Sequence, residues 1–90
     1  MIGGEVVEEE KIGVVTHYYG KISVAVVELS GEMVQGDRVK IRGKETDFIQ
    51  GIRSMQVEHR KIDRARPGDM VGIKVDRKVR EGDGLFKITG

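Results

Sequence analysis

The chain has 90 residues, no cysteine and no tryptophan, and 34% of it is charged, yet its net charge is only +1. That length makes one small domain, which hides only about 60–65% of its unfolded surface. A disulfide framework and a thiolate metal site are excluded, and no apolar run approaches the ~20 residues of a membrane helix.

The start, Met1-Ile2-Gly3-Gly4-Glu5, lacks the basic and apolar regions of a leader, so a cytoplasmic location is expected. Residues 1–10 form an acidic N-terminal segment that carries Glu8, Glu9 and Glu10 in a row. A single β-barrel domain is expected over 11–90. Its apolar residues recur with period two rather than 3.6. Residues 11–18 predict a first strand, 19–21 a short connection, and 22–29 a second strand rich in β-branched residues. After Ser30-Gly31, the strict alternation of Arg38-Val39-Lys40-Ile41-Arg42 predicts a third strand. A fourth and long strand is expected over 47–58, with Gly51 inside it as the mark of a bulge or bend. Residues 59–67 are polar, with Ile62 and Ala65 three apart, which suits a single helical turn capping one end. A fifth strand over 69–76 and a sixth over 84–89 complete the chain.

Six short strands with regular turns predict an all-β fold: a small closed six-stranded antiparallel Greek-key-like β-barrel. Closure would remove the sheet edges that invite aggregation. The expected core is Ile12, Val14, Val24, Val26, Leu29, Val39, Ile41, Ile49, Met55, Val57, Ile62, Val71, Ile73, Val75, Leu85 and Ile88. Gly36-Asp37, Gly68-Asp69 and Gly82-Asp83 each stand just before an apolar strand residue. Glycine supplies the positive φ of a tight turn and aspartate accepts from turn amides, so these are corners rather than catalytic groups.

Catalysis finds little support. There is no P-loop, so no GTP binding is expected. Ser23, Ser30 and Ser54 have no nucleophile-elbow context, and only His17 and His59 offer imidazoles as bases. Two histidines 42 positions apart match no zinc spacing. The expectation is a protein with no enzymatic activity, no cofactor and no metal.

Charge is unevenly distributed. Residues 1–37 carry two cations against seven carboxylates, and residues 38–80 carry thirteen cations against six. A basic half suggests an anionic partner; equally, it describes a solvated surface whose charges pair across strands. Alternation places Arg38, Lys40 and Arg42 on one strand face, and Lys44 and Arg53 extend the row if the third and fourth strands form a hairpin. Such a stripe suits a phosphate backbone. His17, Tyr18 and Tyr19 cluster at the first hairpin, where aromatic rings can stack on bases or on a partner's side chains. The high charge and the absence of asparagine resemble a thermophile's composition. A melting midpoint inside the mesophile range of about 45–65 °C would count against that source.

Three stretches carry a family resemblance: Gly36-Asp37-Arg38-Val39-Lys40-Ile41, Ile52-Arg53-Ser54-Met55-Gln56-Val57, and Ala65-Arg66-Pro67-Gly68-Asp69-Met70-Val71-Gly72-Ile73. Over roughly residues 11–89 the chain resembles the second domain of the translation GTPases, the elongation factor Tu and initiation factor superfamily. It is most similar to short free-standing "translation elongation factor-like" proteins. The resemblance implies a translation-protein barrel that binds tRNA or ribosomal RNA. Residues 73–83 are also similar to the closing segment of the barrel appended to bacterial collagenase-like peptidases. That similarity implies the alternative: a protein-interaction or accessory module, partner to such a peptidase or homo-oligomeric.

Overall fold

A computed structural model describes residues 8–89. They form ten strands: β1 (Glu8–Tyr19), β2 (Val24–Leu29), β3 (Met33–Val34), β4 (Arg38–Arg42), β5 (Asp47–Gly51), β6 (Met55–Val57), β7 (Arg60–Ile62), β8 (Arg64–Ala65), β9 (Met70–Lys74) and β10 (Gly84–Thr89). The fold is all-β, as the period-two pattern requires. Of the acidic segment, residues 1–7 lie outside the described residues, and Glu8–Glu10 begin β1, opposite Thr89, Ile88 and Lys87 of β10.

Eight strands join one antiparallel sheet in the order β5-β4-β10-β1-β2-β9-β6-β7, and β3 pairs with β8 in a separate two-stranded ribbon. The sheet is not closed. The expected six-stranded barrel is corrected here, and the reason lies in the fourth predicted strand. Residues 52–54 break the 47–58 run into β5 and β6. β5 then pairs with β4 at one end of the sheet, and β6 pairs with β9 near the other. Between these ends run the β3–β8 ribbon, a few main-chain hydrogen bonds and the side-chain links of Gln50 to Lys74 and Asp76 and of Arg53 to Asp76. The Gln35 amide donates to the Asp63 carbonyl (2.9 Å), that of Gly36 to Ile52 (2.9 Å) and that of Ile52 to Asp37 (2.8 Å).

The helical turn expected in 59–67 is also corrected. Those residues form β7 and β8, and β6 and β7 make a hairpin through the two-residue turn Glu58-His59. Both turn residues have positive φ, 50° and 67°, the backbone of a type I′ turn that normally selects Asn-Gly. With no such pair in the sequence, the hairpin leaves no local signature.

The sheet's inner face holds the core. Val27, Val39, Ile41, Val71 and Leu85 have no exposed surface, and each buried side chain of this size contributes about 1.5–3 kcal/mol of transfer free energy. The phase of β2 is the reverse of the expected one: Ala25 and Val27 are buried with Leu29, while Val24 and Val26 are half-buried on the outer face. With four apolar residues in succession, 24–27, alternation gives no phase. β1 has register shifts between Lys11 and Gly13 and between Val15 and His17, so Val15 rather than Val14 is fully buried. Ile49, expected inside, is exposed, and Gln50 points inward because Val39 and Ile41 of β4 stand opposite Gln50 and Phe48. Gln50 is fully bonded: Nε2 donates to the carbonyls of Lys74 (2.9 Å) and Gly51 (3.1 Å), and Oε1 accepts from the Asp76 amide (2.8 Å).

The three Gly-Asp corners share one geometry. Gly36, Gly68 and Gly82 have φ of 97°, 93° and 93°, as the third residue of a type II turn demands. The aspartate carboxylate accepts the amide three residues earlier: Asp37 from Val34 at 2.8 Å, Asp69 from Arg66 at 2.9 Å, and Asp83 from Arg80 at 2.9 Å.

Candidate functional site

The outer face of the β4–β10–β1 half carries the predicted basic stripe. Val39 and Ile41 turn inward, so Arg38, Lys40 and Arg42 share the other face. The structure surrounds the last two with anions. Lys40 Nζ lies 3.5 Å from Glu9 Oε2 and 3.8 Å from Asp47 Oδ1, and Arg42 Nη1 lies 3.5 Å from Glu9 Oε1. The Arg42 guanidinium also stands 4.6 Å from the Phe86 ring centroid, a cation–π contact. Glu9 reaches both cations because β1 and β4 flank β10 on either side. Lys44 is exposed in the turn between β4 and β5. Arg53 lies past the end of the β4–β5 ladder and holds Asp76 at 2.6 Å. Three of the five cations, Lys40, Arg42 and Arg53, thus have carboxylates within 4 Å.

The aromatic cluster divides between two faces. The shift at Val15/His17 puts His17 and Tyr19 outside, with ring centroids 4.3 Å apart, while Tyr18 packs against the core. His17 Nδ1 is 3.6 Å from Glu81 Oε2, on the protein surface.

A different surface emerges on the β2–β9–β6 half. The ladders align Tyr19 with Val24, and His17 with Val26, Gly72 and Gln56. Beside these rows lies an open groove of about 530 Å³, lined by Tyr19, Ile22, Val24, Val26, Met70 and Gly72 together with the polar Gln56, Glu58 and His59. Tyr19, Ile22 and Met70 are 49%, 56% and 47% exposed, and only one other large apolar residue among those described, Ile49, is comparably open. Three of the four most exposed large apolar side chains among those described thus lie together on this face. Of the residues singled out as candidate binding groups, only Tyr19 lines it. The available signal was the run Val24–Val27: a strand apolar on both faces has two surfaces to cover.

Among the described residues, no three of His, Cys, Asp and Glu gather in a metal-binding cluster, and no helix is long and apolar enough to cross a membrane.

Comparison with known proteins identifies the relatives. No family model matches the chain. An uncharacterized protease of Methanocaldococcus jannaschii is 39% identical over 77 residues, covering 84% of this chain and 19% of that protein. A collagenase of Porphyromonas gingivalis is 30% identical over 86 residues, covering 93% of this chain and 24% of that protein. The crystal structure of the C-terminal domain of a Geobacillus thermoleovorans protein described as a U32 peptidase superposes with a TM-score of 0.82 at 30% identity, covering 87% of this chain and 91% of that one. Its selenomethionine variant gives 0.81 at 29%. The chain spans about a fifth of the length of the curated relatives it matches.

These findings overturn the translation-factor resemblance, and with it the translation elongation factor-like and RNA-binding reading. The physical reason is visible in the motif. Ala65-Arg66-Pro67-Gly68-Asp69 encodes a type II turn entering a strand, and the same Gly-Asp corner occurs three times in this chain. The motif reports a turn geometry rather than a line of descent. The peptidase-type similarity read from residues 73–83 fits the relatives better.

Proposed function

The chain belongs to the U32 peptidase family as a counterpart of its C-terminal domain, and from that premise we propose that it is a non-catalytic, protein-binding accessory module of a U32 peptidase. The relatives named as proteases and collagenases are four to six times longer than the matched segment, which leaves ample chain for a separate catalytic part. The observation that carries the reading is the apolar groove on the outer face of β2 and β9. A domain working alone in water gains nothing by leaving Tyr19, Ile22 and Met70 open together, whereas a module that seats against another protein does. The cysteine-free chain holds its fold without disulfides, as work in a reducing cytoplasm requires.

Calorimetric titration tests this. The chain should bind the M. jannaschii protease from which the matched 77-residue segment has been deleted, and the chain alone should leave gelatin and casein uncut. Proteolysis by the purified chain, or no binding at high micromolar concentration, would overturn the proposal.

A further inference from the structure

Ion pairs are spread unevenly over this molecule. Lys40, Arg42, Arg53, Arg80 and Lys87 each stand within 4 Å of a carboxylate. The stretch that joins β7 to β8 does the opposite. Lys61, Asp63 and Arg64 carry both signs within four residues, and all three are exposed. Among the described residues none of the three has an oppositely charged atom within 4 Å. The main chain fixes where they stand. Asp63 lies at the bend between β7 and β8, and its carbonyl accepts from the Gln35 amide at 2.9 Å. Lys61 is held opposite Gln56 on β6, and Arg64 opposite Val34 on β3.

These ions border one place. Two adjoining recesses of about 480 and 520 Å³ lie beside the β3–β8 ribbon and β7, and Gln35, Asp63 and Arg64 line both. Lys61 lines the larger and the buried Ile52 the smaller. The recess therefore presents a cation, an anion and a cation in chain order, each without a partner inside the fold.

We infer that this recess binds a net-acidic peptide segment whose two carboxylates engage Lys61 and Arg64 and whose intervening cation engages Asp63. Arginine takes a carboxylate in a planar, two-bond contact, and lysine takes one as a point charge. Asp63 decides the class of ligand. An all-anionic chain such as polyphosphate meets repulsion there, whereas a polypeptide can present a lysine or arginine to it. The order of charges then sets the register of the bound segment. None of Lys61, Asp63 and Arg64 lines the apolar groove, so this site goes beyond the accessory-module reading and is tested apart from it.

The test titrates the purified chain into labelled probes by fluorescence anisotropy. The main probe is a peptide that repeats Glu-Lys-Glu with alanine spacers; the comparison probe is inorganic polyphosphate. Wild type should bind the peptide more tightly than polyphosphate, and the peptide should be released as salt rises from about 50 to 300 mM. Lys61→Glu and Arg64→Glu should each weaken peptide binding by about tenfold, because like charges then face each other. Asp63→Lys should weaken the peptide and strengthen polyphosphate, a reversal that a merely structural role would not produce. Lys21→Glu makes the same charge change in the exposed turn between β1 and β2 and should alter binding by no more than about twofold. Each variant is checked for a cooperative melt, and Lys61→Gln and Arg64→Gln replace any reversal that fails to fold, with an expected loss of about threefold. Equal losses from Lys61→Glu and Lys21→Glu would reduce the contact to overall charge and overturn the inference. Preference of wild type for polyphosphate, or no peptide binding at millimolar concentration, would overturn it as well. None of these outcomes bears on the titration against the truncated protease.

Discussion

The two halves of this sheet face solvent in opposite ways. On the β4–β10–β1 half the outer side chains are charged, and the fold pairs them with each other: Glu9 holds Lys40 and Arg42, and Arg42 covers Phe86. On the β2–β9–β6 half Val24, Val26 and Met70 line a groove, with Glu28, Lys74 and Gln56 exposed on the same face. Where Lys40, Arg42 and Arg53 stand beside carboxylates the surface meets part of its own charge, so a count of cations from the sequence overstates the open ones. The quieter apolar surface is the one left incomplete. Charge counting favours the first half and geometry favours the second.

The two halves are tied by Gln50, which reaches from β5 to the chain at Lys74–Asp76, just after β9. Its removal should break the comparison most severely. Gln50→Leu removes the part-buried hydrogen bonds to the Asp76 amide and the Lys74 carbonyl, each contributing about 0.5–1.5 kcal/mol. A fall of about 10 °C or more in melting midpoint is expected by calorimetry, at about 4–8 °C per kcal/mol for a domain of this size. No change would mean that the halves hold together without it.

The next effect runs the other way. Replacing Glu58-His59 with Asn-Gly supplies the residues a type I′ turn prefers. It should stabilise the domain by about 1 kcal/mol in denaturant titration, since it relieves two left-handed residues. If the turn is a prepared wall of the docking groove, binding to the truncated protease should weaken even as stability rises. A destabilised variant would show that the side chains, rather than the backbone, hold this turn.

The smallest effect belongs to the charged half. Glu9→Gln removes a partner of Lys40 and Arg42, whose side chains are 21% and 46% exposed. Surface pairs of this kind contribute only about 0–1 kcal/mol and are screened by salt. The loss should vanish in about 1 M salt; a large, salt-independent loss would mean that Glu9 organises the strand itself.

Where local chemistry decides structure, the sequence was readable. β4 and β10 match the predicted strands residue for residue, because strict alternation and a Gly-Asp turn announce them. The three corners were legible for the same reason. The run 47–58 was not, since its break at 52–54 depends on two distant partners, β4 and β9, claiming its two halves. The Glu58-His59 hairpin was hidden by residues that do not advertise a type I′ turn. The groove was missed because Val24–Val27 is apolar on both faces, so phase is set by β1 and β9 rather than by the strand's own pattern. Tyr19 was singled out on chemical grounds. Met70, Gly72 and Ile22 acquire meaning only once the ladders place them beside it.

The open seam between β5 and β7 has a consequence for how the molecule fails. It is bridged by a ribbon of two paired residues per strand, a few main-chain bonds around Gln35, Gly36 and Ile52, and the Gln50 side chain, against ladders of five or six pairs along β4–β5, β2–β9 and β1–β2. Amide exchange is expected to begin there, well before the amide of Val27 at the sheet's centre exchanges by global unfolding. Each such breath uncovers two strand edges at once. Self-association on long storage would then follow the frequency of that local opening rather than the midpoint of the thermal melt.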